Sequence, residues 1–208
     1  MTRTARHPSV LSAELVGHYR RLDTVRRKLE KLFHERVVTR YDIEIAYSGL
    51  YLNAVVSLER FIEALFIGVL AGRFRGQGTV AARVHFKSDL VARDVVLGGR
   101  PYVDWLPYEQ NTLRRAKAFF RGGQPFSGLD RAEKKLLEQA GYIRNALAHK
   151  SAHSLRMFER EVVGNLPLIG HERTPAGFLR SLLRQSPSET RYENIVTELA
   201  AISQKLGR

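Results

Sequence analysis

An arginine, an asparagine and a histidine follow one another at short spacing inside an otherwise apolar, alanine-rich segment, GYIRNALAHKS. Arg144 is permanently charged, and its planar guanidinium matches the geometry of phosphate oxygens. His149 can take up or release a proton near neutral pH, and the Asn145 amide can hold an imidazole ring or contact phosphate. These groups suffice for metal-free RNA cleavage, in which a base activates the 2′-hydroxyl, an acid protonates the leaving 5′-oxygen, and a cation stabilises the transition state.

One straight helix does not bring the three side chains together. At about 100° per residue, Asn145 and His149 lie about 40° apart, whereas Arg144 lies about 140° from His149. The groups converge if the helix bends or ends near His149, or if two copies of the chain meet across a symmetry axis. Two histidines, one from each copy, would then supply the base and the acid. The alternative is that all three are ordinary capping and surface residues at a helix end.

The segment IRNALAHKS resembles the signature of the HEPN superfamily, which is an arginine, four to six further residues and a histidine, often with asparagine directly after the arginine. Arg144, Asn145 and His149 match this pattern at the four-residue spacing. The match is specific only for residues 142–151. The resemblance implies an all-α, HEPN-like helical bundle, usually dimeric, in which paired motifs line a cleft. Many members are metal-independent endoribonucleases of toxin–antitoxin, phage-defence and RNA-processing systems, and others bind without cleaving.

Four further residues are candidates for supporting this motif. Glu59 and Glu63 share one face of the second predicted helix, where they either form ion pairs with neighbours or orient the arginine and histidine. Lys150 follows the motif directly, and His153 continues the line of His149 if the helix stays regular. The two histidines have the spacing of a metal pair, but no third ligand is evident, so we expect neither a metal nor another cofactor.

The composition indicates a polyanionic partner. Lys and Arg total 34 against 21 acidic residues, which gives a formal charge of +13. Such an excess favours RNA or DNA as a partner, although an arginine-rich proteome would produce the same bias. Cysteine is absent, and neither a signal peptide nor a membrane span is evident, so we expect a cytoplasmic protein without membrane contact. Basic side chains of the first helix either form an ordinary solvated face or track the RNA backbone, and the candidates for RNA contact are Arg20, Arg26, Arg27 and Lys28.

Hydrophobic spacing predicts one domain made of helices joined by short loops. A helical hairpin is predicted over 9–72, an irregular insertion with one short helix over 73–106, motif-bearing helices over 107–163, and a helical C-terminal extension over 164–208. Within the insertion, VAARVHFK predicts a short strand or an irregular turn. Trp105, Tyr102 and Tyr108 either pack in the core or stack on bases, and burial is favoured for the tryptophan between two prolines.

Three functional hypotheses follow. The first is a HEPN-type endoribonuclease that acts as a homodimer on RNA, in a toxin or phage-defence context with an antitoxin or other partner. The second is a non-catalytic helical module that binds nucleic acid or a nucleotide, or serves as an assembly subunit. The third is a structural bundle whose positive charge reflects composition alone, and it predicts no salt-dependent RNA binding.

Overall fold

A computed structural model describes residues 7–74 and 82–208. The predicted all-α class is confirmed, since helices dominate the described residues and the sheet is a single small hairpin. The helices are α1 (Pro8–His34), α2 (Arg40–Leu70), α3 (Asp89–Leu97), α4 (Arg114–Phe119), α5 (Arg131–His149), α6 (Ala152–Phe158), α7 (Pro175–Arg180) and α8 (Arg191–Leu206). A π-helical turn, Tyr108–Leu113, leads into α4, and another, Glu159–Val163, follows α6; 3-10 turns cover Arg121–Gly123, Phe126–Gly128 and Gly170–Arg173.

Reciprocal side-chain caps begin the helices that build the site. At α2, the Thr39 hydroxyl accepts from the backbone N–H of Asp42, while the Asp42 carboxylate accepts from the backbone N–H of Thr39. Asp130 and Glu133 form the same arrangement at the start of α5. Each pair satisfies two backbone N–H groups that a helix otherwise leaves without partners. In both pairs the capping residues lie only three positions apart in the chain.

Helix α2 lies at the centre of the bundle. It packs against α1, α3, α5, α7 and α8. On one face of the helix Tyr47, Tyr51, Leu58 and Phe66 each have 0% exposure, whereas Val56 and Arg60 lie on an exposed face. A charged residue on the buried side of this helix loses much of its hydration and is stable only when another charge or hydrogen bonds compensate. This position of α2 sets the environment of Glu59.

An aromatic cluster holds the connection between α3 and α4 against α2. The ring of Phe66 lies 5.1 Å from Trp105, 4.7 Å from Phe120 and 5.2 Å from Phe126, measured between centroids. Trp105 is 2% exposed and Tyr108 is fully buried, so neither can stack on a base, whereas Tyr102 is 68% exposed. The predicted packing of the tryptophan in the core is therefore confirmed.

The inserted segment is only partly irregular. Its helix, α3, begins at the Ser88 cap and ends at Gly98, whose φ of +57° is the left-handed conformation typical of a helix C-terminus. Of the predicted strand or turn VAARVHFK, residues 80 and 81 lie outside the described residues, and Ala82 forms an isolated antiparallel bridge with Phe120. Among the described helices, none combines the length and apolar content that crossing a bilayer requires.

The C-terminal region differs from its prediction in two respects. Residues 182–190, within the predicted helical extension 164–208, form an antiparallel hairpin of β1 (Leu182–Gln185) and β2 (Ser188–Thr190), whose strands are joined by an Arg184–Glu189 ion pair. Strands this short leave little alternation to detect in a sequence. In addition, α8 packs on α1, α2, α5 and α7, so this region is part of the bundle core and not an appendage.

Candidate active site

The motif occupies the last two turns of α5, and its arginine points to the central helix. Arg144 Nη2 donates to Glu59 Oε1 over 3.0 Å, and each of the two side chains keeps only 18% exposure. The Arg144 Nε is buried and has no hydrogen-bond partner among the described atoms. The guanidinium is therefore held in a partly desolvated position by one carboxylate, with donor capacity left over for another anion.

Glu59 is a perturbed carboxylate. Burial between α2 and α5 raises its pKa above the ordinary value, the Arg144 guanidinium opposes this rise, and the negative charge of Asp104 adds to it. Desolvation is thus the largest influence on the group, as expected for an acid on a helix surrounded by others. The sequence left open whether Glu59 forms an ion pair with a neighbour or orients the motif. The structure shows an ion pair with a neighbouring helix, and the partner is the motif arginine, Arg144.

The histidine and asparagine lie in different surroundings from the arginine. His149 is the last residue of α5 and is exposed, and Asn145 is half-buried one turn earlier. Lys150 ends the helix with a left-handed φ of +48°, and Ser151 caps α6, so exposed His153 lies on a new helix. The helix therefore ends at His149, which is one of the two arrangements that the sequence left open. No hydrogen bond within the described part of the chain joins Arg144 to His149, and Arg144 is bonded instead to Glu59.

Glu63 does not support the motif. Its carboxylate forms an ion pair with Arg93 of α3, with 2.8 Å between Oε1 and Nη2, and accepts from the indole N–H of Trp105 at 3.4 Å. Glu63 lies about 6 Å further along α2 than Glu59, where α3 and the aromatic cluster pack. Of the possibilities that the sequence left open for Glu63, the structure therefore shows the ion pair with a neighbouring helix, which joins α2 to the inserted segment.

The arginine predicted for RNA contact at position 26 is buried. Arg26 is 6% exposed, its Nε donates to Asp23 over 2.9 Å, and its Nη2 pairs with Glu193 at the start of α8. Its Nη1 donates to the Tyr47 hydroxyl at 3.4 Å. The prediction for Arg26 is corrected, because this side chain links α1 to α2 and α8. The other three predicted RNA-binding residues are exposed on α1: Arg20, Arg27 and Lys28.

The polar cluster around Arg26 continues to α7. The Tyr47 hydroxyl donates to Glu30 at 2.8 Å, and Arg180 donates to both oxygens of the same carboxylate, at 2.9 and 3.1 Å. Burial alone would raise the pKa of Glu30. The hydrogen bonds from Arg180 and Tyr47 and the nearby guanidinium charges outweigh that effect, so its pKa lies below the ordinary value of 4.5. Nothing in the sequence spacing indicates this cluster, since Glu30 and Arg180 are 150 positions apart.

Replacement of Glu30 by glutamine is expected to weaken the dependence of the free energy of unfolding on pH in the acidic range. Because folding lowers the pKa of Glu30, its stabilising contribution is present above pH 4.5 and is lost as pH falls through the folded-state value. The Glu30→Gln variant should therefore be about 2 kcal/mol less stable than wild type at pH 7 and close to it near pH 3. Urea denaturation at a series of pH values measures this difference. Glu35→Gln, on the exposed end of the same helix, is the control and should track wild type throughout.

The described residues contain no group of three or more His, Cys, Asp or Glu side chains arranged to hold a metal ion. Comparison of the chain with models of known protein families, with curated proteins and with solved structures finds no match. The functional argument therefore rests on the residues of this chain and on their geometry.

Proposed function

We propose that the chain is a metal-independent endoribonuclease of the HEPN type, active as a homodimer with a composite site. The observation that carries the proposal is the Glu59–Arg144 pair, because it fixes a guanidinium with spare donors on the helix that ends at His149. A cation held in place before substrate arrives stabilises developing negative charge at no cost of reorganisation.

The chemistry assigns one role to each motif residue. Neutral His149 of one copy removes the proton of the ribose 2′-hydroxyl, and the resulting oxyanion attacks the adjacent phosphorus. The bond from phosphorus to the 5′-oxygen breaks, and His149 of the second copy, as imidazolium, protonates that oxygen. Arg144 stabilises the charge on the phosphorane-like transition state, and Asn145 supports the phosphate or the imidazole ring. The products are a 2′,3′-cyclic phosphate and a free 5′-hydroxyl.

Two copies are needed because of the position of the histidine. A single His149 cannot act as base and acid on the same phosphate in one step, so a second imidazole is needed. Within the described residues His149 has no hydrogen bond to Arg144, whose guanidinium is bonded to Glu59. A twofold axis near the end of α5 would bring two histidines to one phosphate. His153 and Lys150, both exposed beside this end of the helix, are then placed to contact flanking phosphates.

The test is incubation of purified protein with total RNA in excess chelator, with end-group analysis and a parallel measurement of oligomeric state. We expect fragments that end in 2′,3′-cyclic phosphate, and a dimer at the concentrations that give activity. Growth arrest on expression of wild type, absent for the His149→Ala protein, would support a toxin or defence role. Cleavage that requires an added divalent ion, or full activity from a strict monomer, contradicts the proposal.

A non-catalytic module is the second candidate, and one observation favours it. The Glu59 carboxylate already neutralises Arg144, and this pair is complete within one copy. In that case the motif would bind phosphate, or contact a second copy, without proton transfer. RNA that stays intact while binding is retained, and weakens steeply with added salt, supports this candidate over the nuclease.

A further inference from the structure

A groove of about 900 Å³ runs between α1 and α8 and is closed at one end by the β1–β2 hairpin. We call it the α1–α8 groove. It does not include Arg144 or His149, so it is separate from the candidate active site. Four exposed basic residues of α1 lie along it, Arg20, Arg27, Lys28 and Lys31. The question is which kind of molecule fits its walls.

The floor of the groove is apolar. Val196 and Ala200 lie one turn apart on α8, and Val16 faces them from α1. Tyr19 and Tyr192 also line the floor, and they are 3% and 1% exposed, while Val196 is 6% exposed. The aliphatic side chains on both helices are short, so the floor of the groove is accessible. Covering such an apolar surface with another apolar surface lowers the free energy.

The rim of the groove is cationic. Its acidic members are already paired, because Asp23 contacts Arg26 and Arg27, Glu193 contacts Arg26, and Glu189 contacts Arg184. Arg20 and Lys28 have no ion-pair partner within residues 7–74 and 82–208, and Lys31, whose side chain is 77% exposed, forms only a long, exposed pair with Glu35 at 3.7 Å. The unpaired charge along this edge is therefore positive.

We propose that the α1–α8 groove binds an amphipathic helix of a partner protein, with its apolar stripe on the floor and acidic side chains against the α1 rim. The rim from Arg20 to Lys31 is about 16 Å long, which is about three turns of a helix. Apolar side chains spaced three and four residues apart on the partner helix would lie along one of its faces, and this face fits a floor formed by two helices. Acidic flanks complement the cations and fix the orientation of the helix.

RNA fits these walls less well. Single-stranded RNA is held by stacking of bases on exposed aromatic rings together with backbone contacts. Both tyrosines of the groove are buried, and the apolar floor offers nothing to ribose or phosphate. If the proposed function holds, an acidic helix in the groove would occupy Arg20, Arg27 and Lys28, which are the cations proposed to track RNA. Helix and RNA would then compete.

The test uses a fluorescein-labelled peptide of about 14 residues, with leucines at helical three- and four-residue steps and glutamates and glutamines elsewhere. A scrambled peptide of the same composition is the matched ligand control. Anisotropy titrations of the full chain should show the patterned peptide binding at least about ten-fold tighter than the scrambled one. Arg20→Glu with Lys28→Glu should weaken binding about ten-fold or more, whereas Lys135→Glu, an exposed charge reversal on α5, should leave it unchanged.

The deciding variant is Ala200→Arg, which adds a positive charge and blocks the floor. Binding by charge alone becomes tighter in this variant, whereas docking of a helix into the groove is lost. Equal binding of both peptides, or tighter binding to the Ala200→Arg protein, overturns the proposal. The proposal is also overturned if the patterned peptide does not bind and the Ala200→Arg protein loses RNA binding. That result would make the groove a nucleic-acid site. Thr197→Arg, at an exposed position on the same wall, replaces Ala200→Arg if circular dichroism shows that the latter is unfolded.

The His149→Ala protein should bind the peptide like wild type, so the result is independent of cleavage.

Discussion

Replacement of His149 by alanine is expected to lower the rate of RNA cleavage by about 10² to 10⁴, the range over which proton transfer by a positioned side chain contributes to catalysis. The effect should fall on kcat, because the proton transfers occur only in the transition state. Stability should change little, since the side chain is exposed at the end of α5 and surface substitutions alter stability by about 0.5 kcal/mol or less. Single-turnover cleavage of a labelled RNA, paired with thermal unfolding, measures both quantities.

The matched control for this prediction is His171→Ala. His171 is also exposed, but it lies in the turn before α7, where it lines a groove with Glu30 and Arg180 that does not include His149. Its removal should leave the cleavage rate within about two-fold of wild type, the range of ordinary surface changes. Retention of full activity by the His149→Ala protein would rule out the assigned proton-transfer role, whatever the effect of the control.

Replacement of Arg144 by alanine is expected to destabilise the fold by about 2 to 3 kcal/mol at pH 7, in addition to removing cleavage. Loss of one member of a fully buried ion pair costs about 3 to 5 kcal/mol because the remaining charge has no partner. The cost here is smaller because Glu59 and Arg144 each keep 18% exposure. Chemical denaturation of wild type and variant gives the difference directly.

The destabilisation of the Arg144→Ala protein should depend on pH with a defined sign. Arg144 is the largest influence that lowers the pKa of Glu59, so its removal raises that folded-state pKa further above the unfolded value. A carboxyl group with a raised folded pKa favours the folded state at low pH, and this advantage is lost as pH rises through that pKa. The stability deficit should therefore shrink between pH 7 and pH 4.

A double-substitution cycle isolates the pair. Combining Glu59→Gln with Arg144→Ala should recover most of the lost stability, because the amide needs no counter-charge. It should not recover cleavage, since no cation remains for the transition state. The loss of stability in the Arg144→Ala protein could instead be independent of pH and unaffected by Glu59→Gln. That result would show that the Glu59–Arg144 ion pair is not its cause.

Most helix boundaries were predictable because their causes are local. Thr39 with Asp42 and Asp130 with Glu133 cap helices through neighbours three residues apart, and Ser88 and Gly98 bound α3 in the same way. The hairpin at 182–190 was missed, because strands of three and four residues leave too little alternation to distinguish from a helix turn.

Arg26 shows how a local pattern can mislead. Val25 lies three residues after Leu22 and four before Leu29, which is helical apolar spacing, yet it is 45% exposed, while Arg26 continues the buried series Leu15, Tyr19 and Leu22. The spacing of that series, four, three and four residues, was visible in the sequence. An arginine at the end of such a series is ordinarily predicted to lie on the surface. Arg26 is buried because it has partners on α8 and α2, which the sequence does not reveal.

The sequence by itself determined the helical class, most helix starts, and the identity and spacing of Arg144, Asn145 and His149, because these depend on neighbours along the chain. Only the tertiary structure decided which charges meet. Glu59 was paired with Arg144, Glu63 with Arg93, and Arg26 with Glu193, although members of these pairs are up to 167 positions apart. The reason is physical: the free energy of a charge depends on its burial and on its nearest opposite charge, and packing of the helices sets both.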